Sequence, residues 1–148
     1  DILLRQLTEN AGLLAEPKKV RVRAEQIDEI TIPGDEARLR QLFLNLLDNA
    51  VKYTLPKGSV TVSLIRDGTS AVITVKDTGI GIPRKDHGRI FERFYRVDRP
   101  NRSGDEIPSG SGLGLPIAKW ITEAHHGTIL VQSRDGRGTT FVVRLPIS

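Results

Sequence analysis

Between Gly34 and Pro56, Leu39, Leu42, Phe43, Leu46, Leu47 and Ala50 recur every three or four residues. That spacing predicts one long helix with a single apolar stripe, opened by Asp35 as its cap and ending around Tyr53 to Pro56. Leu3, Leu7, Ala11 and Leu14 repeat the pattern over residues 1 to 15, ahead of Pro17. Elsewhere the period shortens to two. Val20, Val22 and Ala24 alternate with Arg21 and Arg23 and predict a strand near 19 to 24, with a weaker one at Ile30 to Pro33. Ser59 to Ile65 and Ser70 to Lys76 read as a hairpin through Asp67-Gly68. A helix is expected from Pro116 to about His125, with Gly127 as its stop, and a closing hairpin from Thr128 to Ser133 and Thr139 to Leu145. Strands paired through hairpins but interrupted by helices predict an α/β sandwich, a mixed sheet of about five strands with helices on one face.

The stretch from about 84 to 111 fits none of these patterns. It is polar and rich in Gly and Pro, broken only by "RIFERFYRV", and is too long for a simple connection, so it reads as a lid. The whole chain, 148 residues, is expected to form one domain. No Met occurs and Asp1 already lies in a helical pattern, so a piece of a longer protein is expected. No apolar run approaches a membrane span and no signal peptide is visible. The absence of Cys excludes disulfides and thiolate metal sites. The net charge of +4 invites a nucleic-acid partner, but Lys and Arg form no clustered stripe, so none is expected.

Three constellations carry candidate chemistry. Asn45, Asn49 and Lys52 lie at i, i+4 and i+7 on the flank of the long helix's apolar stripe, followed by Tyr53. Asparagine is a poor helix-interior residue, so two of them half-buried there ask for a reason. They could simply bond neighbouring loops. Alternatively, amide oxygens with an ammonium beside them suit a phosphate-bound Mg²⁺. In "VKDTGIGIP", Asp77 falls by alternation on the inward face with Ala71, Ile73 and Val75. A buried carboxylate needs donors, either from a turn that it caps or from the exocyclic amine of a purine brought close by Gly79 and Gly81. In "GSGLGLP", Gly110, Gly112 and Gly114 precede a helix start, an arrangement that offers free N–H groups to phosphate. It is neither a P-loop nor a dinucleotide fingerprint. Phe91, Phe94 and Tyr95 read as a small cluster pinning the lid, Arg96 as solvent-exposed or a phosphate clamp, His125 and His126 as complements to a helix dipole, and Trp120 as core.

Taken in order, "LNLLDNAVKYT", "DTGIGIP", "IFERFYRVD" and "GSGLGLPIAKWI" resemble the ATP-binding catalytic domain of bacterial sensor histidine kinases, in the GHKL superfamily. The resemblance implies a two-layer α/β sandwich of the Bergerat type, with ATP held between the long helix, the sheet and the lid. It implies Asn49 as the Mg²⁺ ligand, Asn45 and Lys52 near the phosphates, Tyr53 beside adenine, and Asp77 as acceptor from the adenine amine with Gly79 and Gly81 shaping that pocket. Arg96 matches a lid arginine that reaches the γ-phosphate, and Asn45, Lys52 and Arg96 are the residues expected to serve the reaction. Gly110, Ser111, Gly112, Leu113 and Gly114 match the second glycine box.

The reaction so implied is transfer of the γ-phosphoryl group of Mg-ATP to a histidine on a separate dimerisation domain of the same protein, for relay to a response-regulator aspartate. A homodimeric, membrane-bound sensor with this domain in the cytoplasm is implied with it. Two features depart from the family pattern. His87, His125 and His126 lie in no H-E-x-x-x-P run, so the acceptor is expected elsewhere, and His87-Gly88 stands where relatives often carry Leu-Pro. Two alternatives stay open: a non-catalytic ATP-binding module, and an ATPase of another GHKL branch. That other branch generally uses a glutamate-activated water, and the long helix has no Glu after Glu36.

Overall fold

The computed structural model describes residues 1–82, 86–87, 89–92, 114–133 and 137–147. In chain order these form α1 (Ile2–Ala15), a 3-10 turn (Glu16–Lys18), β1 (Arg21–Ile27), α2 (Glu36–Tyr53), β2 (Ser59–Asp67), β3 (Ser70–Asp77), α3 (Gly114–Ala124), β4 (Thr128–Ser133) and β5 (Thr139–Pro146). The sheet order is β1-β2-β3-β5-β4. β1 and β2 are parallel, the pairing that a crossover through α2 permits, and the other pairs are antiparallel. This is the mixed five-stranded sheet and α/β class expected from the sequence.

Period-two alternation buries one face of the sheet. Val60, Val62 and Leu64 of β2, Ala71, Ile73 and Val75 of β3, and Phe141, Val143 and Leu145 of β5 point to the helices and are buried. The stripe of α2 meets them with Leu42, Leu46, Leu47 and Ala50, each no more than 2% exposed. Burying a side chain of this size contributes roughly 1.5–3 kcal/mol, so this seam dominates the local stability. Asp35 starts α2 as expected, its Oδ1 accepting from the N–H groups of Ala37 (3.0 Å) and Arg38 (3.3 Å).

Several expectations are corrected. Ile30 to Pro33 is not a strand, although Ile30 is buried; the segment leads to the start of α2 and pairs with no strand among the described residues. On α1 the buried stripe is Leu4, Leu7, Thr8 and Ala15, and Leu14 turns outward. Trp120 is not core but 55% exposed, because Ala118, Ile121 and Thr122 form the buried stripe of α3. Its ring instead carries the Arg38 guanidinium 4.8 Å from the centroid. α3 begins at Gly114, two residues before Pro116, and its left-handed stop is His126 (φ 62°), not Gly127. Gly127 is needed for close approach: a Cβ there would lie 2.2 Å from the Arg144 carbonyl oxygen. His125 does more than complement a dipole. Its Nδ1 bonds the Ile121 carbonyl (2.9 Å) and its Nε2 accepts from the Asp35 N–H (3.1 Å), tying the end of α3 to the start of α2.

Candidate functional site

Asp77 ends β3 in the last inward row of the sheet, where Val60, Asp77, Thr139 and Ser133 lie side by side on four strands. It is only 4% exposed. Its Oδ1 accepts from the N–H groups of Gly79 (2.8 Å) and Thr139 (3.2 Å), whereas Oδ2 accepts nothing from the described residues. Burial raises its carboxyl, against the lowering effect of those two bonds, to about 6. The turn-capping reading is thus half satisfied through Gly79, and among the described residues the second oxygen is left to a donor from outside them.

The chain after Asp77 is pressed onto the end of α2. Ile80 N–H donates to the Tyr53 carbonyl (3.2 Å), and a Cβ on Gly79 would stand 2.1 Å from that same oxygen. Only glycine fits. From the other side of the strand, Gly138 (φ 92°) brings β5 so close that its Cβ would lie 2.2 Å from the Asp77 carbonyl oxygen. Gly81 is buried and left-handed (φ 72°).

A helix end leaves carbonyls without partners, and here each one is claimed. Thr54 Oγ1 donates to the Ala50 carbonyl (2.7 Å), Lys18 Nζ donates to those of Val51 (2.8 Å) and Lys52, and Ile80 N–H takes Tyr53. The end of α2 is thus tied to the 3-10 turn through Lys18 and to the loop after Asp77 through the Ile80 N–H.

Asn45, Asn49, Lys52 and Tyr53 are all half-buried on the flank of α2, as the helical spacing predicts. Asn45 Nδ2 donates to the Gly114 carbonyl (3.1 Å), the first residue of α3, and its Oδ1 accepts from Gln41 (2.8 Å). Asn49 makes no side-chain hydrogen bond with the described residues. Lys52 Nζ lies 3.1 Å from Asp48 Oδ2, a half-exposed pair of the kind worth little and readily exchanged. Arg96, Gly110, Ser111, Gly112 and Leu113 lie outside the described residues, as do Phe94, Tyr95 and most of the expected lid. Phe91 packs edge-on against Phe141, centroids 6.3 Å apart, and His87 Nε2 bonds the Ile82 carbonyl at 2.9 Å.

α2 thus carries the Asp77–Gly79 loop at its C-terminal end and Gly114 beside Asn45, eight residues earlier, or about 12 Å along the helix. These polar groups suit a nucleotide. A buried carboxylate with one oxygen that accepts nothing from the described residues fits an exocyclic amine, and the Asn49 amide, which bonds nothing among the described residues, fits a hard cation that arrives with phosphates. The described residues contain no group of three or more acidic, Cys or His side chains that would hold a metal by itself. Sequence reasoning passed over Lys18, Ser133 and Thr139. Thr139 and Ser133 carried a signal, since alternation with Phe141, Val143 and Leu145 and with Ile129 and Val131 puts them on the inward face, whereas Lys18 carried none.

Comparison with known proteins identifies the family and the fold. The family model for histidine kinase-, DNA gyrase B- and HSP90-like ATPases matches residues 34–148. The sensor histidine kinase RppB of Synechocystis sp. is 44% identical over 119 residues, covering 80% of this chain and 26% of that protein. The sensor-like histidine kinase SenX3 of Mycobacterium tuberculosis is 37% identical over 147 residues, 99% of this chain and 35% of that protein. Among solved structures, the mycobacterial sensor histidine kinase MprB superimposes with a TM-score of 0.83 at 29% identity, covering 97% of this chain and 93% of that one. Full-length ShkA in complex with AMPPNP gives 0.82 at 34% identity, covering 100% of this chain and 30% of that one.

The chain belongs to the histidine kinase-, DNA gyrase B- and HSP90-like ATPases, the GHKL superfamily. Within it, the chain is the ATP-binding catalytic domain of a histidine kinase, spanning 26% of RppB and 35% of SenX3. No helix among the described residues is long and apolar enough to cross a membrane.

Proposed function

We propose that this domain binds Mg-ATP along α2, adenine at Asp77 and phosphates toward Asn45, and delivers the γ-phosphoryl group to a histidine of its own protein. The observation that carries the reading is the attachment of both glycine motifs to one flank of α2, through Tyr53 to Ile80 and through Asn45 to Gly114. Asp77 Oδ2 would accept from the adenine amine. Asn49 would ligate Mg²⁺, Lys52 would leave Asp48 for a phosphate oxygen, and Arg96 with Gly110, Ser111, Gly112, Leu113 and Gly114 would surround the terminal phosphates. Mg²⁺, when bound, would neutralise charge on the phosphates. In the transfer, an acceptor imidazole nitrogen bonds to the γ-phosphorus as the bond to the β–γ bridging oxygen breaks, and ADP leaves with that electron pair. The domain's share is positioning and charge neutralisation.

The acceptor histidine would lie on a separate dimerisation domain of the same homodimeric protein, with a response-regulator aspartate as the next acceptor and a membrane-bound sensor around it. The absence of any Glu between Glu36 and Asn49 favours transfer over glutamate-assisted hydrolysis. The domain by itself should bind ATP and barely turn it over. Titration calorimetry should find Asn49→Ala weakened roughly tenfold or more with Mg²⁺ present and nearly unchanged in excess chelator. Equal weakening in both conditions would remove Asn49 from the metal.

A further inference from the structure

We infer that Ser133, the last residue of β4, is a positioning residue that sets the adenine-facing carboxylate by locking the Ile82 backbone and Thr139 into one polar cluster. Its Oγ accepts from the Ile82 N–H (2.7 Å), donates to the Gly138 carbonyl (2.9 Å) and lies 2.9 Å from Thr139 Oγ1. One hydroxyl satisfies all three contacts when Thr139 Oγ1–H donates to it, since a serine oxygen gives one hydrogen and accepts two. Thr139 in turn donates its N–H to Asp77 Oδ1 (3.2 Å).

The contacts join two segments distant in sequence: residues 77–82, which leave the end of β3, and residues 133–139, the end of β4 with the start of β5. Residues Ser133, Thr139 and Asp77 are also neighbours in the sheet register. With Ser133 removed, the Ile82 N–H loses its acceptor and Thr139 loses the group that orients its hydroxyl. The Asp77 carboxylate keeps its backbone donors, Gly79 and Thr139, but the segments that carry them are then held less firmly, and Oδ2 is aimed less sharply. Ser133 itself needs no contact with the ligand.

This inference rests on the proposed pairing of Asp77 with the adenine amine, and the test separates the two. ATP and inosine triphosphate, which lacks the exocyclic amine, are titrated into the wild type, Ser133→Ala, Ser133→Thr, Asp77→Asn and the double variant, with Tm recorded for each. Ser133→Ala should weaken ATP about fivefold, a loss of one good hydrogen bond, and leave inosine triphosphate unchanged. Ser133→Thr, which keeps the hydroxyl, should recover most of the loss, and the double variant should bind ATP no more weakly than Asp77→Asn. Equal loss for both nucleotides, or none for ATP while Asp77→Asn still weakens it, overturns the role of Ser133 alone. If Asp77→Asn leaves ATP binding intact, the adenine reading fails instead.

Discussion

Asp77→Asn should make the nucleotide-free domain more stable at neutral pH while weakening ATP by roughly one to two orders of magnitude. The two effects have one origin. Burial raises the Asp77 carboxyl to about 6, against roughly 3.9 in an unfolded chain. Between those values the folded protein holds a proton that the unfolded chain has released, so the stabilisation is full below the unfolded value and is lost as pH rises through the folded one. At neutral pH the folded state carries a buried charge that costs on the order of 2–3 kcal/mol.

Asparagine removes that charge and keeps an oxygen for the Gly79 and Thr139 donors, so Tm should rise by roughly 2–4 °C for each kcal/mol recovered. ATP affinity of the wild type should fall as pH drops through about 6, and that dependence should vanish in the variant. Thermal unfolding with and without ATP across this pH window measures both. A variant that binds ATP normally would return Asp77 to the role of a turn cap.

Gly79→Ala should be the more disruptive change. The added Cβ would stand 2.1 Å from the Tyr53 oxygen and 2.9 Å from Asp77 Oδ1, and the first of these is backbone of α2 that cannot swing aside. The loop must lift off the helix, losing the bond from Ile80 to Tyr53 and disturbing the one from Gly79 to Asp77. A cost of roughly 2–4 kcal/mol is expected, lowering Tm by about 5–15 °C and removing measurable ATP binding. Gly68→Ala serves as the control, since nothing lies within 4 Å of its Cβ. It should carry only the strain of its left-handed turn, about 1 kcal/mol, and bind ATP as the wild type does. Similar losses in both variants would mean that the close approach at Gly79 has no bearing on the site.

These two residues were legible in the sequence because local pattern is enough to place them. Alternation aims Asp77 inward, and two glycines after a strand imply a bend under close contact. The stripe of α2 and its Asp35 cap were legible for the same reason. The roles of Ser133 and Lys18 were not. Their partners lie 51 and 33 residues away, at Ile82 and Val51, so only the folded chain assigns them a role. Trp120, expected in the core, is turned outward by the phase of α3, which Ala118 and Ile121 set. Ile30 to Pro33 has the composition of a strand, but pairing is decided by the sheet, and β1 already holds the edge beside β2.

The central claim is tested most directly by incubating the full-length protein with Mg-ATP labelled at the γ-phosphoryl group and following label on the protein. Wild-type protein should acquire label that is acid-labile and base-stable, as a phosphohistidine is, and Asn49→Ala and Asp77→Asn should acquire little. Label absent at saturating Mg-ATP, or present in an acid-stable form, would contradict the account.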